Sequence, residues 1–160
     1  MATESTTVNV LTADALLKHW QGHRLLTRKT IQAFPEDKLF TFSVGGMRPF
    51  GEMACEFLGM AVPIVEGVAT GKWAKYEGAK PATKSELLRV WDEHTEQLNE
   101  KFPTIPPARF SEMDKAFDQW EMPGIGTIQY AIDNEVHHRG QGYVYLRALG
   151  IEPPPFWDRF

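Results

Sequence analysis

The sequence predicts an all-α protein, a four-helix bundle. Three observations carry that expectation. Apolar residues recur at helical spacing over four long stretches. Proline and glycine fall between those stretches. Two of the connections run to ten residues or more, which suits a bundle with crossovers.

The first helix is expected over 12–34. Thr12 is placed to cap it and Asp14 lies in its first turn. Leu16, Trp20, His23 and Phe34 share one face, and Pro35 stops it. Residues 35–47, with Phe40, Phe42, Gly45 and Gly46, read as a connecting loop. Pro49 suits the first position of a second helix. That helix carries Glu52, Met53, Glu56, Phe57 and Met60, kinks at Pro63 and ends at Gly67 or Gly71. A loop over 71–81 holds Trp73 and Tyr76. Thr83 or Ser85 then caps a third helix to about Phe102, striped by Leu88, Trp91, Thr95, Leu98 and Phe102. Prolines over 103–107 break the chain, and a short amphipathic piece covers 111–120. The last helix runs from Gly124 or Thr127 to Leu149 and ends at Gly150. The tail over 151–157 cannot be helical and is expected to pack its aromatics back on the body. No strand pair, internal repeat or low-complexity segment stands out.

A chain of 160 residues, 42% hydrophobic and 24% charged, is the size and composition of one soluble domain with a real core. We expect a single domain over 11–160 after a Thr-rich, disordered lead-in over 1–10. That lead-in lacks the basic and apolar segments of a secretory signal. A net charge of −4 without a Lys/Arg run argues against a nucleic-acid partner. No unbroken run of 18 or more apolar residues occurs, so no membrane partner is expected. Cys55 is the one cysteine, which rules out an internal disulfide and any Cys-pair metal site. A cytoplasmic location follows as the default.

The most informative segment is Asp133-Asn134-Glu135-Val136-His137-His138-Arg139-Gly140-Gln141. Ile128, Ala131, Ile132, Val136, Leu146 and Leu149 place it on a helix expected to be mostly buried, where polar groups must be satisfied by one another or by a ligand. At ~100° per residue, Asn134 and His138 stack one turn apart on the same face, while His137 points away and Glu135 lies ~60° off. On the second helix Glu56 is framed by Met53 and Met60, so it is either exposed at the bundle mouth or held by a cation. Glu56, Asn134 and His138 form an O,O,N set suited to Zn, Ni, Fe or Mn without choosing among them. The plain alternative is a hydrogen-bonded His–Asn pair, with Glu56 in an ion pair to Arg139 or Arg48. His23 is a lone core histidine, His19 and His94 are surface or boundary groups, and Cys55 is a small core residue.

Three strings resemble the DinB/YfiT-like family: Met47-Arg48-Pro49-Phe50-Gly51-Glu52, His137-His138-Arg139-Gly140-Gln141, and the ending Tyr145-Leu146-Arg147-Ala148-Leu149-Gly150-Ile151-Glu152-Pro153-Pro154. The resemblance implies up-down-down-up helix order and a homodimer. It also implies a divalent-metal site of three histidines, one from the second helix and two from the last. Here His138 matches the last of these, Glu56 falls at the first and Asn134 at the middle one, so oxygen ligands replace two imidazoles. Affinity for Zn or Ni should fall, with harder ions such as Mn gaining relative standing.

Two functions follow. One is a metal-dependent transferase of a low-molecular-weight thiol, or a hydrolase-like enzyme, acting on a small electrophilic substrate. Arg139 would orient an anionic thiol or substrate, and Glu52 is the nearest candidate base. The other is a non-catalytic, stress-related small-molecule-binding or scaffold bundle that has lost its metal. There a buried Glu56 would hold His138 as an imidazolium, and Trp73, Tyr76, Phe156 and Trp157 would form a lid or dimer surface. Gly140 and Gly142 permit close approach by another helix.

Overall fold

The computed structural model describes residues 10–78 and 80–160, so the expected lead-in over 1–10 lies outside the described residues except for Val10. Four long helices form where apolar periodicity and caps coincide. Helix α1, Ala13–Ala33, starts at Thr12, whose side chain accepts the Ala15 N–H. Helix α2, Phe50–Thr70, follows Pro49, which serves as the cap rather than as the first helical residue, and ends at left-handed Gly71. Pro63 lies inside α2 without ending it. By length and composition α2 would pass for a membrane span, but most of it is buried among the other helices. Helix α3, Lys84–Lys101, begins with a reciprocal capping box between Thr83 and Glu86. Helix α4, Gly124–Ala148, is followed by left-handed Gly150.

The segment before α4 departs from expectation. Two single helical turns, Phe102–Thr104 and Pro107–Phe110, lead into an antiparallel hairpin of β1, Met113–Ala116, and β2, Trp120–Pro123. The strand pair passed unnoticed because each strand has four residues, too few for alternation to register. Its turn uses Phe117 and Asp118 at positive φ (53° and 57°) instead of an Asn-Gly pair.

Side-chain pairs fix the helix directions. Gln21 meets Asn99 and Arg28 meets Asp92, so α1 and α3 are antiparallel. Trp20 meets Glu135 and His23 meets Arg139, so α1 and α4 are parallel. Asn134 meets Glu56 and Gly142 lies against Phe50, so α2 opposes α4. The order is up-down-down-up, with α1 and α2 each seated between α3 and α4.

Two apolar clusters fill the bundle. One gathers Trp20, Val65, Leu98, Phe102 and Ile128, the other Phe34, Phe50, Phe57, Trp91 and Tyr145. Along α1 and α4 the residues between them are polar and buried. Glu135 accepts from Trp20 Nε1 and Thr27 Oγ1, and Arg139 donates to the His23 carbonyl, Thr27 Oγ1 and His23 Nδ1. Arg24 lies over the Trp91 ring and donates to the Trp91 carbonyl. Glu135 and Arg139 therefore face α1, and Arg139 is too buried to orient a thiol or substrate. His94 is buried as well, against Tyr76, not at the surface. The tail returns by a different route from the one expected. Phe156 and Trp157 stay exposed, and it is Arg159 that packs on Gly22 and reaches His23 Nε2.

Candidate functional site

Glu56, Asn134 and His138 do converge, at the α2–α4 seam. One turn of α4 separates Asn134 from His138. Asn134 donates through Nδ2 to Glu56 Oε1 at 3.1 Å, and His138 Nε2 stands 3.6 Å from the same oxygen. That second distance is a charge contact, longer than a hydrogen bond. Glu56 Oε2 accepts from Arg48 Nη1 at 2.6 Å. The cation that a carboxylate between two methionines calls for is thus supplied by the chain, just before α2. The backbone there is tied down, since the Arg48 carbonyl accepts from the buried Tyr145 hydroxyl.

The electrostatics follow from these contacts. Burial pushes the Glu56 carboxyl up, but hydrogen bonds from Arg48 and Asn134 outweigh it and hold it below the usual value, so it is ionised. Burial lowers the His138 imidazole more than Glu56 raises it. His138 is therefore neutral at pH 7, not the imidazolium expected from its neighbour. Its ring stacks on Phe57, 5.9 Å between centroids. With Nε2 facing a carboxylate, the proton is assigned to that nitrogen. Asn134 Oδ1 and His138 Nδ1 are buried without partners among the described residues. Neither atom is open to a substrate, so His138 has no exposed lone pair with which to act as a base.

Other candidates separate from this group. Gln141 bonds His137, one turn away on the outside of α4. Cys55 bonds the Pro81 carbonyl, and burial raises its thiol to about 11, so it is not a nucleophile at neutral pH. Glu52 lines a polar cleft with Arg48, Glu56 and Lys80. Trp73 covers Gly67 and packs on Phe117, while Tyr76 leans on His94. Gly142 accommodates the Phe50 ring from within the chain, and Gly140 faces open space. Among the described residues no group of three or more His, Cys, Asp or Glu is placed to hold a metal ion.

The residues missed from sequence sit on the hairpin. A second cavity, about 270 Å3, opens on the other side of Glu56, between α2, the start of α4 and the hairpin. Met60, Phe117, Trp120, Met122 and Tyr130 make most of its wall, with Glu56 the single charged residue among the described residues that line it. Phe117 reaches it from a left-handed backbone, unusual for a bulky side chain. Without the hairpin, periodicity had no means of bringing Phe117 or Trp120 to α2.

An up-down-down-up helical bundle of this kind is a known class of fold. The chain belongs to the DinB family, whose family model matches residues 4–159. It is similar to YjoA of Bacillus subtilis, an uncharacterized protein, at 19% identity over 150 residues, covering 92% of this chain and 97% of that one. The crystal structure of YjoA, a DinB-like protein, superposes with a TM-score of 0.74 at 18% identity, covering 89% and 96% of the two chains. A DinB-like protein from Bacillus cereus gives 0.67 at 19% identity, covering 89% and 95%. These likenesses concern the fold.

Proposed function

We propose that this DinB-family chain binds a small, apolar-bodied molecule in the cavity beside Glu56, and that it does so without a resident divalent metal. The observation that carries this reading is the Arg48–Glu56 contact of 2.6 Å. A metal at Glu56, Asn134 and His138 would have to displace a guanidinium already neutralising its only anionic ligand. The rest of the donor set is equally unsuited. Asn134 turns its NH2, not its oxygen, toward Glu56, and a single imidazole remains. Such a set does not fit a tight Zn or Ni centre, which favours several imidazole or thiolate ligands. In this reading the expected thiol-transfer chemistry has no metal to activate the thiol, and the bundle acts as a binding protein. The cavity's apolar wall with one polar end is what small-molecule sites offer.

Elemental analysis of tag-free protein purified without chelator tests the proposal, alongside Glu56→Ala and His138→Ala. The expected result is no stoichiometric metal, even after incubation with Ni, Zn and Mn. One equivalent of metal in the native chain, absent from both variants, would replace this reading with the metal-dependent thiol transferase.

A further inference from the structure

Both oxygens of Glu56 are engaged by residues outside the cavity that it lines. Arg48 donates to Oε2 and Asn134 to Oε1. Among the described residues of the wall, Glu56 alone carries a charge, so the cavity presents no unpaired charge of either sign. A cationic occupant would meet a carboxylate that is already neutralised. An anionic one would meet that carboxylate with no cation in the wall. Either would give up its hydration without return. A neutral occupant has no such loss, and Glu56 keeps its hydrogen bonds when water leaves the cavity.

The rest of the wall favours one kind of neutral molecule. Phe117, Trp120 and Tyr130 bring three rings, and Met60 and Met122 two thioethers. Phe117 is held between Trp73, at 5.2 Å and 60°, and Trp120, at 6.4 Å and 80°. Two rings standing nearly perpendicular make a corner in which a third ring can stack on one and turn its edge to the other. Aromatic pairs in those arrangements gain more than the area they bury. The thioethers add to this, because sulfur makes favourable contacts with a ring. A saturated molecule of the same size would bury the same area without either gain. Resting on the small-molecule reading above, we propose that the ligand is a neutral aromatic compound, with its ring seated between Phe117, Trp120 and Tyr130.

The test is an NMR titration of the full chain, read at the Trp120 indole N–H and the hairpin amides, with four probes: benzyl alcohol, its saturated analogue cyclohexylmethanol, benzoate and benzyltrimethylammonium. Corrected for the pair's partition between water and octanol, benzyl alcohol is expected to bind about two- to tenfold more tightly than cyclohexylmethanol. Both ions should bind at least about tenfold more weakly than benzyl alcohol. Trp120→Leu and Phe117→Leu should each bring the corrected aromatic-to-saturated ratio toward one. Trp120 is half exposed and leucine keeps position 117 apolar, so both chains should fold, which a thermal melt verifies. If the saturated alcohol matches benzyl alcohol after correction, or either ion does, the inference falls while the small-molecule reading stands. If the shifts lie away from the hairpin, or neither variant changes the ratio, the ring sits elsewhere and the inference falls. If no probe binds, the inference falls, and a parallel screen of larger apolar compounds then decides whether the broader reading falls with it.

Discussion

His23 provides a quantitative test of the polar layer. Its Nδ1 lies 2.9 Å from Arg139 Nη2 and its Nε2 3.1 Å from Arg159 Nη1. Guanidinium groups only donate, so an imidazolium there would set N–H against N–H on both sides. Burial first, then Arg139, His19 and Arg159, lowers the imidazole from 6.5 to about 4. The folded chain therefore keeps His23 neutral where the unfolded chain protonates it. Between pH 6.5 and 4 the unfolded state binds more protons, so stability falls as pH falls through that window. Stability from this group is complete above 6.5 and falls no further below 4. A shift of this size corresponds to about 3 kcal/mol. Urea unfolding at pH 7 and pH 4, on the wild type and on His23→Gln, measures it. His94 and His138, whose imidazoles burial also lowers, and the carboxylates titrate in both proteins and cancel in the comparison. The wild type should lose about 3 kcal/mol more than His23→Gln on acidification, which at a slope of about 2 kcal/mol per M moves the midpoint about 1.5 M further. Equal losses would show that His23 is solvated or that the arginines do not face it.

Four further outcomes are expected. A Cβ on Gly142 would lie 2.6 Å from Phe50 Cε2, so Gly142→Ala should cost about 1–3 kcal/mol in thermal or urea unfolding. Gly140→Ala, which meets nothing within 4 Å, should stabilise α4 by up to about 1 kcal/mol. Glu135→Ala removes the acceptor of Trp20 and Thr27 and the anion beside Arg139, and should destabilise by about 3–5 kcal/mol in urea unfolding. Asn134→His combined with Arg48→Ala should gain near-stoichiometric Zn or Ni by elemental analysis, while Asn134→His alone gains less. No gain in either would mean that positions 56, 134 and 138 do not share one coordination point.

Much of the fold is legible because it is punctuated locally. Thr12, Thr83, Gly71 and Gly150 mark ends that backbone hydrogen bonding requires, and the structure uses each of them. The convergence of Glu56, Asn134 and His138 was also readable, from the stacking of residues four apart and from the family resemblance. What decided the character of that site was not. Arg48 was one of two arginines weighed for Glu56, and helical spacing could not choose between them. Arg139 is taken up instead by His23 and Thr27 on a parallel neighbour. Which face of α4 meets α1 depends on global packing, so helical spacing places Glu135 ~60° off the Asn134–His138 face but cannot show that Trp20 and Thr27 take it up. The hairpin was the largest loss, because it carries four of the side chains that wall the cavity, Ala116, Phe117, Trp120 and Met122.

Arg109 gives that hairpin a mechanical property. Its guanidinium donates to the Val68 and Gly67 carbonyls at the end of α2 and pairs with Asp114 on β1. The hairpin is thereby bolted to the same helix that carries Glu56. A molecule entering the cavity cannot rely on a swinging flap without tearing out a helix cap. The lining side chains left free to move at the surface are the half-exposed rings of Trp120 and Tyr130. Rings at a surface turn in picoseconds to nanoseconds, whereas collective hinges take microseconds or longer. Were the cavity to take a ligand as proposed, its association should therefore be set by diffusion rather than by a slow opening step.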